Sequence, residues 1–299
     1  MYSTHTYDNG QQKPSGGHFF SSLRLAKRCL LLCLCLLPLA AIGQKEVVRR
    51  LGDWLPDSLR LHGSMQGMAI HRRYAVALRD GGQCLILDMR HRRCVGAYPL
   101  TGNSTHCNNA SFGHRRFVPS DPFPLLYVSS CYGDKACHVM RLLPDRSVTV
   151  QRIYYDSDCF PIAQDWCVDA DNGYLYAFGG KRGGTMYLKK FALPPVGCEG
   201  ADTAVRLTDR DVLQTIPITC VRVAQGSKIE GGYAYLPDGD QPGGYYLHII
   251  DLASGKEVRT LDLNPIGLEP EGVDVHRRWI YVSFNTPDPL ENKIIRFRR

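Results

Sequence analysis

Five short motifs, each a polar residue set just ahead of an apolar run, carry most of the chemistry in this sequence. They are Gln66-Gly67-Met68-Ala69-Ile70, Asn108-Asn109-Ala110-Ser111-Phe112, Asp165-Trp166-Cys167-Val168-Asp169, Gln225-Gly226-Ser227-Lys228-Ile229 and Glu271-Gly272-Val273-Asp274-Val275. Two of the leading residues, Asp165 and Glu271, are carboxylates. Facing each other across a narrow mouth, they would perturb each other's pKa and serve as an acid/base pair. With the amide oxygens of Gln66, Asn108 and Gln225 between them, they would instead hold a divalent cation or a polar ligand. His106 and Asp158 fall in the segments that lead into the second and third motifs and join the candidates. The plainer expectation is that these side chains cap backbone groups where strands converge. A binding role is therefore expected ahead of an enzymatic one.

A second chemistry is basic. His-Arg-Arg occurs at His71-Arg72-Arg73, His91-Arg92-Arg93, His114-Arg115-Arg116 and His276-Arg277-Arg278. If these lie in turns on one face, Arg72, Arg73, Arg92, Arg115, Arg116 and Arg277 form a surface able to grip phosphate, sulfate or uronate groups in bidentate fashion. The competing expectation is that the turns are solvated and simply tolerate charge. Asp169-Ala170-Asp171-Asn172-Gly173 resembles part of a calcium loop but lacks the distal Glu and reads better as a hairpin turn. There is no Gly-x-Ser-x-Gly elbow, P-loop or His-Glu-x-x-His, and no Cys or His spacing of a zinc site, so no metal ligands are assigned.

Lys27 and Arg28 precede an apolar run from Cys29 to Ile42 that ends in small residues, the pattern of an export signal spanning residues 1–43. The run is shorter than a membrane span, and no later stretch approaches one. An exported protein is expected, periplasmic or extracellular, with residues 44–299 as one domain and a monomer as its form. Removing Asp8, Lys13, Arg24, Lys27 and Arg28 takes the formal charge from +7 to +4. That mild excess comes with no nucleic-acid motif. Cys29, Cys33 and Cys35 leave with the signal, and among the remaining cysteines Cys84–Cys94 and Cys131–Cys137 are the first disulfide pairings to consider.

The elements that must position these residues repeat. After each polar opening comes a tight turn and an aromatic-rich strand, such as Tyr74-Ala75-Val76-Ala77-Leu78 or Trp279-Ile280-Tyr281-Val282-Ser283, then a third and a fourth strand. This period predicts an all-β five-bladed β-propeller. The fifth unit lacks a fourth strand, and Glu46-Val47-Val48-Arg49-Arg50-Leu51 matches Glu257-Val258-Arg259-Thr260-Leu261 in pattern. The N-terminal strand is thus expected to close the last blade, removing an open edge. Residues 197–211 read as an insertion in the third blade. A six-bladed count would need strands hidden there, and a β-sandwich would not explain five like openings.

The Asp251-Leu252-Ala253-Ser254-Gly255-Lys256 hairpin and the repeated strand-turn-strand units resemble the secreted bacterial β-propellers with YVTN- and NHL-type blades. Through its Gln-Gly and Glu-Gly openings and Tyr-rich second strands the chain is also similar to the five-bladed glutaminyl cyclases. The first resemblance implies blades and no particular activity; the second transfers no catalytic residues. The expected function is binding of a small ligand, glycan or peptide at the polar mouth. The alternatives are a hydrolase or cyclase using Asp165 and Glu271, or a protein-interaction scaffold acting through the basic face. A divalent cation in the central channel is the one cofactor considered.

Overall fold

The structure is a computed structural model, and it describes residues 44–57, 63–157, 163–180, 184–197 and 202–299. The expected export signal, with Lys27, Arg28, Cys29, Cys33 and Cys35, lies outside the described residues, as do Asp158, Cys159 and Cys198. Residues Gln44–Arg299 form one compact unit of five small sheets arranged as a five-bladed β-propeller. No helix among the described residues is long and apolar enough to cross a membrane.

The N-terminal strand β1 spans Lys45–Val48. Blade 1 holds β2 (Met65–His71), β3 (Tyr74–Arg79), β4 (Gln83–Asp88) and β5 (Arg93–Pro99); blade 2 holds β6 (Ala110–Phe112), β7 (Leu126–Ser129), β8 (Cys137–Leu142) and β9 (Ser147–Asp156). Blade 3 is built from β10 (Ala163–Asp169), β11 (Tyr174–Gly180) and β12 (Met186–Ala192), then β13 (Thr203–Thr208) intervenes before its outer strand β14 (Gln214–Ile218). Blade 4 comprises β15 (Lys228–Glu230), β16 (Tyr233–Asp240), β17 (Gly244–Asp251) and β18 (Glu257–Asp262). Blade 5 comprises β19 (Glu269–His276), β20 (Trp279–Asn285) and β21 (Lys293–Arg298).

The expected closure is present. Strand β1 pairs antiparallel with β21, Lys45 opposite Arg296 and Val48 opposite Ile294, so the two ends of the chain complete one blade. The insertion in blade 3 does more than expected: β13 leaves its own blade and runs parallel to β9 as a fifth strand of blade 2.

Five apolar cores lie between neighbouring blades. Leu78, Leu126 and Met140 pack between blades 1 and 2, Trp166 and Phe191 with Val139 between 2 and 3, and Phe178 with Leu236 between 3 and 4. Phe284 and Leu247 join blades 4 and 5. Val48, Met68 and Tyr281 join blade 5 to blade 1. Val48 is completely buried, so the closing strand contributes core as well as hydrogen bonds. Val48→Asp, which buries an unpaired carboxylate, should cost about 3–5 kcal/mol, whereas exposed Lys45→Asp should barely shift the urea midpoint. Equal midpoints for the two variants would mean that closure by β1 contributes nothing to stability.

The innermost strands meet at the axis because small residues allow it. A Cβ on Gly67 would stand 2.6 Å from the Asn109 carbonyl carbon, and one on Gly272 would stand 2.8 Å from the Met68 nitrogen. Asn109, fully buried, uses its side-chain amide to join three blades, donating to Trp166 O at 3.0 Å and Ser227 O at 2.8 Å.

The two cysteine pairings are not formed. Every described cysteine is a free thiol, and the register explains it: Cys84 faces Tyr98 while Cys94 faces Leu87. Cys137 sits opposite Ser129, leaving Cys131 beyond the strand end with its amide donated to His106 O.

Candidate binding site at the axial mouth

Strand pairing shifts register at the openings of blades 1, 3 and 5: between Met65 and Met68, Ala163 and Asp165, and Pro270 and Gly272. Such bulges re-aim side chains. At this end of the axis a recess of about 350 Å³ is lined by Gln66, His106, Asn108, Gln225, Glu269 and Glu271, among others. Four of the five predicted ring residues and His106 are thus brought together on one wall.

Asp165, the fifth, is not on that wall. It is wholly buried one layer below, where Asn108 Nδ2 donates a short hydrogen bond to its Oδ1 and the Gly226 amide donates to Oδ2 at 3.2 Å. Burial pushes its carboxyl up to about 7, with the Asn108 and Gly226 hydrogen bonds pulling the other way. Asp165 therefore holds a ring residue in place and does not face Glu271 across open space.

Glu271 is buried, and its carboxyl is driven well above the usual range by that burial first and then by the negative charge of Glu269, Asp80 and Asp165; Asn285 partly offsets this. Glu269 is raised too, by burial and by Asp240, against the hydrogen bond it accepts from Gln225 Nε2 at 2.7 Å. Gln225 also donates to Gly239 O at 3.0 Å, which fixes its amide between blades 4 and 5. His106 is held by Asp80, Nδ1 to Oδ1 at 3.0 Å, and packs its ring against exposed Tyr132 at 4.9 Å between centroids. Arg222 also reaches the recess, but its guanidinium is engaged by Asp238 at 3.3 Å and by Gly244 O at 2.9 Å. The recess is consequently acidic, with its cations already occupied.

Sequence reasoning missed Glu269, Asp240, Arg222, Asn285 and Tyr132. Glu269 stands two residues before Glu271, but the register shift between Pro270 and Gly272 breaks the alternation that would have placed the two on one side.

All four His-Arg-Arg segments fall at connections within a blade, between β2 and β3, β4 and β5, and β19 and β20 at tight turns, and between β6 and β7 in a longer loop. Arg72 and Arg277 adopt left-handed backbone with φ of 57 and 58°, as their two-residue hairpins require, and Arg92, with φ of 54°, ends the four-residue turn after Asp88. Arg73 pairs with Asp88 at 3.4 Å, and Arg92 lies over the Trp54 ring. Arg115 and Arg116 border a separate recess of about 290 Å³, together with Phe117, Tyr127 and Leu193.

No protein-family model matches the chain, and no curated protein matches it. Among solved structures it is similar to the computationally designed Ika8 protein at 8% identity, over 79% of this chain and 71% of that one, with a TM-score of 0.34. That likeness is too distant to add to what the five sheets establish.

Proposed function

We propose that this protein is an exported binding propeller whose axial mouth takes a small ligand by a cationic amine, such as the amino end of a peptide or an amino sugar. The observation that carries this reading is the crowding of Glu269, Glu271 and Asp240 around one recess, where burial first, and neighbouring negative charge after it, raises the carboxyls of Glu269 and Glu271. An ammonium group among them replaces mutual repulsion with attraction and with charge-assisted hydrogen bonds. Because both carboxyls are raised, affinity for an amine should climb as pH rises through their titration and fall in acid. Export rests on the pattern of residues 1–43.

Calorimetry with glucosamine against N-acetylglucosamine, and with short peptides against their N-acetylated forms, tests the reading. The free amines should bind and the acetylated partners should not. Glu269→Gln should weaken amine binding about tenfold or more, the usual scale for one charged hydrogen bond. Equal binding of free and acetylated forms would overturn it.

A second reading, an enzyme, draws on Glu271 alone. A carboxyl that burial holds well above the usual carboxylate range is suited to act as a general acid. With Asp165 below the wall, its base would have to be Glu269 or Asp240.

A further inference from the structure

Blade 4 carries another cluster of reactive side chains, separate from the carboxylates of the mouth. Cys220 lies in the segment between β14 and β15, His248 on β17 and Glu257 at the start of β18. One thiol sulfur, one imidazole nitrogen and one carboxylate oxygen from these residues lie within 4.8 Å of one another. His248 is buried. Its Nδ1 stands 2.6 Å from Glu257 Oε1, while its Nε2 makes no hydrogen bond and has Asp238 Oδ2 3.6 Å away. The sheet brings these groups together: Asp238 on β16 is opposite Tyr246 on β17, two residues from His248 on the same strand face.

Sulfur, nitrogen and oxygen donors converging on one point are the mixture that zinc and its neighbours favour. We infer that Cys220, His248 and Glu257 form a binding site for a divalent transition-metal ion of the zinc type, with Asp238 orienting the imidazole through its second nitrogen. Bonds of about 2.0–2.3 Å in a tetrahedral site place ligand atoms roughly 3.3–3.8 Å apart. The ion would spread the His248–Glu257 contact and draw Cys220 inward, movements of about 1 Å. Cys220 is partly exposed and Glu257 is at the surface, so an ion has a path in and room for water as a fourth ligand. Binding releases the thiol proton and the proton on the bound ring nitrogen to solvent. Asp238 then plays the part that carboxylates commonly play behind metal-bound histidines. The three residues come from a loop and two strands, which is why no short sequence spacing announces the site.

Cobalt(II) added alone to the purified full chain provides the test, because a thiolate ligand gives a charge-transfer band in the near ultraviolet. One equivalent of cobalt should produce that band, and zinc should displace it. The band should vanish in Cys220→Ser, and Glu257→Gln should weaken binding about tenfold or more. No band from the natively folded chain, or a band that survives Cys220→Ser, would overturn the inference. Zinc should also slow alkylation of Cys220 in the unaltered protein, read by mass spectrometry, which needs no variant to fold. An unchanged alkylation rate would leave the cluster as an imidazolium held between two carboxylates. None of these readouts depends on the mouth.

Discussion

Above pH 7, Asp165→Asn should unfold at higher urea than the parent, and the advantage should shrink to nothing as the pH falls toward 4. The reason is a proton. The Asp165 carboxyl sits at about 7 in the folded chain because it is buried, whereas in an unfolded chain it titrates near 3.9. Between those values the folded state keeps a proton that the unfolded state has released, so parent stability falls as pH rises through the window. Titrating at about 7 in the fold instead of near 3.9 corresponds to about 4 kcal/mol once the window is crossed. Asparagine carries no such proton, and the Asn108 amide can turn over to accept where it now donates. Glu271 is raised in the same direction, so the variant should lose only part of the parent's slope. Urea midpoints that run parallel across the pH range would show that Asp165 is ionised in the fold, against its burial.

The second large effect lies at the axis. Lys228 Nζ pairs with Asp274 Oδ1 at 3.0 Å, both side chains largely buried, and Asp274 Oδ2 accepts from the Ile70 amide. The contacts join β15, β19 and β2, the innermost strands of three blades. Burial alone would lower the lysine's pKa, but Asp274 more than offsets it and keeps the ammonium charged. Lys228→Ala strands the carboxylate and should cost about 3–5 kcal/mol, whereas Lys228→Met with Asp274→Asn should recover most of that loss. Chemical denaturation of the two variants decides. If the double variant is as weak as the single, the pair is not what holds these strands together.

Much of this architecture was legible because it follows from period. Each polar opening stands at or just ahead of an innermost strand, each His-Arg-Arg lies at a connection between neighbouring strands of one blade, and the match between Glu46–Leu51 and Glu257–Leu261 located the closing strand. What escaped was what period does not encode. Strand β13 pairs parallel with β9 across a blade boundary, and no repeat announces a partner outside its own unit. Asp165 shares its place in the repeat with Gln66 and Asn108, yet hydrogen bonds from Asn108 and the Gly226 amide hold it beneath the wall. Arg222 and Tyr132 reach the recess from loops, and Asp240 and Asn285 from the far ends of second strands. Those positions depend on where the ring closes in space. The cysteine pairings failed for a similar reason, since adjacency of strands says nothing of register.

The most direct test of the mouth as the binding site is a crystal structure of the protein soaked with an amine-bearing sugar or peptide. An ordered ligand should place its amine nitrogen within hydrogen-bond reach of Glu269 and Glu271, with Gln66 and Asn108 on the same wall. A mouth filled only with water while the ligand sits in the recess beside Arg115 and Arg116, or a ligand bound nowhere, would contradict that assignment.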